Sequence, residues 1–196
     1  MASEVQIAKL ALQHIGDRWD ISDLTEATPE AEQVNLVFAD TRDALLRQHP
    51  WNFAKKFTSP AALTGTVPGN WDFMYSYPPD AVRINGIVDP LETGIPIKFE
   101  VGRNASDLKV ILTDQVSAEF YYTMRVTDTV QFDPEFTMAF SYALAARLAM
   151  PLTGERAIMG DMDTIARNIV NSAWETDSNE GIEENPPEAT WIQARA

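Results

Sequence analysis

The sequence predicts an α+β protein: a helical bundle of two N-terminal and two C-terminal helices with an inserted antiparallel β-sheet or small sandwich. Two observations carry this. Amphipathic helical periodicity fills the first fifty residues and returns at about residue 134. The stretch between is rich in β-formers and Pro/Gly turns. The expected organisation is a discontinuous helical domain at 1–50 and 134–175, a β-rich insertion at 51–133, and an extended acidic arm at 176–196.

The first helix is expected over residues 3–15. Ser3 is placed to cap it, Glu4 sits in its first turn, and Gly16 can end it. Its apolar residues, Val5, Ile7, Ala8, Leu10, Ala11, Leu12 and Ile15, cover more than half the circumference, which predicts a well-buried helix. Residues 17–28 are polar and turn-rich. A second helix begins with Thr28 as N-cap and Pro29 at the first helical position. Val34, Val37, Phe38, Thr41, Leu45 and Leu46 form its inward face, and Pro50 stops it.

Period-two alternation marks the insertion. Residues 81–88 and 118–126 are the clearest strands, with further strands expected at 95–101 and 108–112. Four to six antiparallel strands joined by short loops follow from this spacing. Asp133, Pro134 and Glu135 then open a helix whose residues 136–150 are nearly all apolar or small, Arg147 being the one charge. Such a helix is buried on most sides, and Pro151 with Gly154 marks the next turn. A fourth helix spans about 155–174, with Ile158, Met162, Ile165, Ile169 and Ala173 inward. From Glu175 to Glu188 the periodicity is lost, and six acidic residues occur with no basic one. Pro186-Pro187 and the small apolar cluster Thr190-Trp191-Ile192 lie in that arm, which is too polar to fold alone.

Composition narrows the function. The chain has 196 residues, 45% hydrophobic and 22% charged, and no cysteine. Disulfides, thiolate nucleophiles, iron–sulfur clusters and Cys-based zinc sites are therefore excluded. No run of about 18 apolar residues suggests a membrane span, and the first residues lack a secretory pattern. A net charge of −14 repels nucleic-acid phosphate, so tight DNA or RNA binding is not expected. The charge suits a surface that DNA must slide past, or simply a soluble one.

No catalytic constellation is evident. His14 and His49 both fall at helix C-termini, where a histidine favours the dipole. The chain holds no Gly-x-Ser-x-Gly elbow and no phosphate-binding loop of the Gly-Lys-Ser/Thr type. Glycosidase chemistry needs only two carboxylates, and Glu119 with Asp72 would be the candidates among 29 acidic residues. The aromatics Trp51, Phe53, Trp71, Phe73, Tyr75, Tyr77, Phe120, Tyr121 and Tyr122 either present a carbohydrate or protein-contact surface or cover the joint between sheet and helices. The expectation is of no catalytic residue, no metal and no cofactor. Ile182, Trp191, Ile192 and Arg195, on the acidic arm, are the candidate partner-binding residues.

Four stretches carry a resemblance that spans nearly the whole chain. They are Gln13-His14-Ile15-Gly16 at the end of the first helix; the run from Asp43 to Ala54, where a helix leads through Trp51-Asn52-Phe53 toward a strand; Tyr77-Pro78-Pro79-Asp80-Ala81-Val82-Arg83-Ile84; and the small-residue helix Tyr142 to Ala149. In these the chain resembles the tail tubular protein A family of podophages, and more broadly the phage head-to-tail adaptor (connector) proteins. The resemblance implies a structural virion protein of the tail or neck, found in the host cytoplasm during assembly. It implies self-association into a ring, usually a dodecamer, between the portal protein and the tail nozzle protein. DNA would pass through the lumen without specific binding, and no membrane is involved. In the same family the C-terminal segment commonly reaches along the portal or a neighbouring subunit. The alternative is a carbohydrate-active enzyme of the phage tail, degrading cell wall or polysaccharide, for which no motif is present here; a carbohydrate-binding module would rest on the aromatics alone.

Overall fold

The computed structural model describes residues 2–16, 21–91 and 94–179. It is α+β, with four α-helices and two three-stranded antiparallel sheets. The helices are α1 (Glu4–His14), α2 (Pro29–Gln48), α3 (Pro134–Thr153) and α4 (Arg156–Asn179). The strands are β1 (Lys55–Thr58), β2 (Phe73–Ser76), β3 (Ala81–Ile87), β4 (Phe99–Arg103), β5 (Lys109–Thr113) and β6 (Phe120–Met124).

Local chemistry sets the helix starts. Ser3 and Gln6 form a reciprocal capping box at α1. The Thr28 hydroxyl accepts from the Ala31 amide, and Pro29 fills a position where a missing N–H costs nothing. α3 is the centre of the helical half and packs on α1, α2 and α4. Its Ala139, Leu144, Ala145, Leu148 and Ala149 are fully buried, and the alanines let neighbouring helices approach closely. An aromatic column reinforces this. The Phe136 ring meets Trp51 edge-on at 5.1 Å and Phe53 at 5.1 Å, while Phe140 meets Phe38 at 4.9 Å.

The two sheets face each other as a small sandwich, one ordered β1-β6-β3 and the other β2-β5-β4. Tyr75 and Ile111 from one sheet meet Ile84, Ile87, Phe120 and Tyr122 from the other. Met74, Val110 and Leu112 point to the opposite side of the second sheet, where Leu63, Val67 and Trp71 cover them. β3 carries two register shifts against β6, which bend it. At the second shift Gly86 lies beneath the Tyr121 ring, and a β-carbon there would stand 2.5 Å from the tyrosine hydroxyl. Any larger residue there would have to displace the Tyr121 ring, which lies on the outer face.

Arginines tie the sandwich to the bundle. Arg47 on α2 donates to the Val82 carbonyl at 2.8 Å, and Arg83 donates back to the Arg47 carbonyl at 3.4 Å. Asp43 receives Arg42 and Arg125, each at 2.7 Å. Val82 and Val126 join the helical core itself.

Several sequence expectations are corrected. The strand expected at 95–101 begins only at Phe99, because Pro96 has no N–H to give the ladder. Pro151 does not end α3. It sits in the last turn, where it removes one backbone bond, and the helix stops at Gly154, whose φ is +74°. α4 runs past Glu175 to Asn179, since an established helix gains a hydrogen bond per added residue without needing an apolar face. Ala166, Val170 and Ala173 are its buried stripe, and Ile158, Met162, Ile165 and Ile169 flank it half-buried, because α4 packs mainly on one neighbour. α1 is less enclosed than its pattern suggests: Leu10 is 38% exposed, since α1 packs chiefly on α3 and leaves one apolar side open.

The small positions of α3 are not equivalent. Ala145 is fully buried, whereas Ala143 borders an open groove. Ala145→Leu is expected to lower stability by about 1–3 kcal/mol through overpacking, and Ala143→Leu to leave it nearly unchanged. Chemical denaturation of the two variants checks this; equal losses would contradict the packing described.

Candidate functional site

The candidate residues Ile182, Trp191, Ile192 and Arg195 lie outside the described residues, so their placement rests on sequence. Glu119 and Asp72 are both exposed, Glu119 just ahead of β6 and Asp72 just ahead of β2. The Asp72 amide donates to Asp114 at 3.1 Å. No hydrogen bond joins Asp72 to Glu119.

The aromatics divide between two interiors. Trp51 and Phe53 belong to the helical core, with the Trp51 indole donating to the Leu45 carbonyl at 3.2 Å. Tyr75, Phe120 and Tyr122 fill the sandwich, with Phe73 and Tyr77 packed against them. Phe57 and Tyr121 remain on the outer face of the first sheet, their ring centroids 6.2 Å apart. Lys55 lies over both rings at about 5.5 Å. His49 is buried at the end of α2, edge-on to Trp51 at 4.8 Å.

His14 is where two helices meet beside a groove. Its ring stacks on Tyr142 of α3 at 3.8 Å, nearly parallel, and its Nε2 lies 3.1 Å from the Ser141 hydroxyl. The Ser141 hydroxyl donates to the Met138 carbonyl at 2.8 Å, one helical turn back. Its one proton is thus committed, and His14 Nε2 must be the donor of the pair. That is the reverse of the polarity a histidine base needs to activate a serine. The contact positions α1 on α3. Burial lowers the His14 pKa below 6.5, so the ring is neutral near pH 7. His14 does sit in the last turn of α1, as its sequence position predicts, and there burial outweighs the pull of the helix end.

The groove beside His14 has a volume of about 570 Å³ and runs between α1, the 129–133 turn and the start of α3. Its lining is mostly apolar. Leu10, Val130 and Met138 rim it and are 38%, 52% and 54% exposed. Sequence reading missed this surface. The available signal was the surplus width of the α1 stripe, more apolar face than one neighbouring helix can cover.

A polar triad sits in the sandwich. Asp80 accepts from Lys56 at 2.7 Å and from the Tyr122 hydroxyl at 2.9 Å. Burial alone would push this carboxyl up, but the hydrogen bonds from Lys56 and Tyr122 outweigh it and hold the pKa low. The same bond to Asp80 raises the Lys56 ammonium. The arrangement fastens the turn before β3 to β1 and β6, and its charges are already neutralised by one another.

Among the described residues no group of three or more His, Cys, Asp or Glu could hold a metal ion. No described helix is long and apolar enough to cross a membrane. Compared with models of protein families, the chain matches none, and no curated protein matches it either.

The depressed pKa of His14 gives a pH dependence of known sign. As pH falls below about 6.5 the unfolded chain takes up this proton first, so the stability linked to neutral His14 is present above that pH and lost below it. His14→Gln, which stays neutral, should therefore show a shallower fall in melting temperature between pH 7 and pH 5 than the parent. Parallel curves for the two proteins would show that His14 is not the linked group.

Proposed function

We propose that the protein is a structural virion component, a head-to-tail adaptor subunit that forms a ring, twelve-fold in this reading, joining the phage portal protein to the tail nozzle and letting DNA pass through its lumen. The observation that carries the proposal is the apolar groove between α1 and α3. A chain of net charge −14 that leaves Leu10, Val130 and Met138 clustered at an open groove has a surface suited to being covered by protein. Three further features support it. The stretches from Leu45 to Ala54 and from Tyr77 to Ile84 resemble the adaptor family. The acidic balance suits a lumen along which DNA slides. The arm bearing Ile182, Trp191, Ile192 and Arg195 suits ordering on a partner, with Trp191 as anchor.

The mechanism in this reading is mechanical. The helical bundle gives the subunit a stiff core, the groove and the arm engage portal or neighbouring subunits, and the chain works without a cofactor. Assembly would take place in the host cytoplasm and end in the neck of the virion.

Met138→Asp tests the groove, and removal of residues 182–196 tests the arm. Met138 is 54% exposed, so the variant is expected to keep its melting temperature within a few degrees. It should nonetheless weaken portal-dependent assembly by tenfold or more, as loss of about 1.4 kcal/mol at an interface does. The truncated chain should fold and fail to dock. Normal docking by Met138→Asp would remove the groove from the proposal, and normal docking by the truncated chain would remove the arm.

A further inference from the structure

The bundle has a second opening on a different side. α2, α3 and α4 leave a groove of about 520 Å³ between them. Val37 and Leu45 of α2, Ala143 and Ala146 of α3, and Met159 and Gly160 of α4 line it. A β-carbon on Gly160 would meet nothing within 4 Å, so the space there is open. Two charged residues stand at its edge, Arg147 and Asp163. Asp163 is held by Arg167 at 2.6 Å. Arg147 makes no ion pair or hydrogen bond among the described residues. The groove is thus mainly apolar, with Thr41 and Gln48 also in its lining, and Arg147 at its edge is unpaired among the described residues, on a chain of net charge −14.

We propose that in the isolated subunit this groove is occupied by the chain's own C-terminal segment Glu188–Ile192, with Trp191 and Ile192 in the apolar part and Glu188 beside Arg147. Three arguments select this occupant. The first is reach. Gly160 lies 19 residues before Asn179, about 28 Å back along α4 at the helical rise. The 12 residues from Asn179 to Trp191 can span up to about 40 Å, enough to return to the groove. The second is charge: residues 175–188 carry six acidic groups and no basic one, complementary to Arg147. The third is composition. Trp191-Ile192 is the apolar pair of this acidic stretch, and an open groove of small and apolar residues is what such a pair fits. The segment then acts as a latch. Bound to its own subunit it covers both its tryptophan and the groove, and any partner must displace it from the groove to bind either. This inference concerns the monomer and stands apart from the adaptor reading, so each can fail alone.

The chain has no cysteine, so a disulfide trap reads the contact directly. The full chain with Gly160→Cys and Ile192→Cys is compared with one carrying Leu108→Cys and Ile192→Cys, since Leu108 is 60% exposed in the distant β4–β5 turn. Under mild oxidation the groove pair should close within the monomer at least about tenfold faster than the control pair, at a rate independent of protein concentration. Equal rates for the two pairs would overturn the proposal. Linked dimers whose yield rises with concentration would also overturn it, assigning the groove to a neighbouring copy. Arg147→Glu in the groove-pair background alters an exposed side chain and should slow closure several-fold; an unchanged rate would overturn the pairing with Glu188.

Discussion

The aromatic column on α3 joins the two halves of the chain. Phe136 and Phe140 on that helix, with Phe132 in the turn just before it, meet Trp51, Phe53 and Phe38 from about eighty to one hundred positions earlier. Truncating a buried phenylalanine of this kind costs about 3–5 kcal/mol, a large fraction of the stability of a typical domain. Every other packing decision follows from it. α1 and α2 must arrive before the insertion, α3 after it, and the sandwich is held at the point where α2 leads into Trp51. The arginine pair at Arg47 and Arg83, with Asp43 shared by Arg42 and Arg125, fixes that point with polar contacts.

With the core satisfied in this way, the remaining apolar surface becomes informative. In the sandwich the polar triad at Asp80 is internally neutral, and exposed apolar residues such as Leu91 and Ile95 line a shallow opening beside its loops. The bundle does not close. One groove opens between α1 and α3 beside the His14–Ser141 contact, and another between α2, α3 and α4 beside Arg147. Ala143 and Ala146 both line the second groove and leave it open. Small residues at those positions are consistent with a space that something else occupies.

Much of the fold was legible in the sequence because its signals are local. Ser3, Thr28-Pro29 and Asp133-Pro134 state where helices begin, and the alternation at 81–88 and 118–126 states where strands lie. The errors fell where local pattern and tertiary context compete. Pro151 reads as a helix stop, but near a helix end it costs only one bond, and Gly154 decides the terminus. Ile95-Pro96-Ile97 alternates like a strand, but Pro96 cannot donate to one. The grooves were not legible, since each needs faces from three separate segments. Neither was the tertiary contact of His14, whose place in the last turn of α1 is local but whose stacking partner Tyr142 lies 128 residues away.

The measurement that tests the central reading most directly is the mass of the purified protein by light scattering, alone and after mixing with its portal protein. The adaptor reading predicts a species near 21.9 kDa alone and a complex of the portal with many added subunits after mixing. A protein that stays at its monomer mass in the presence of portal would contradict it.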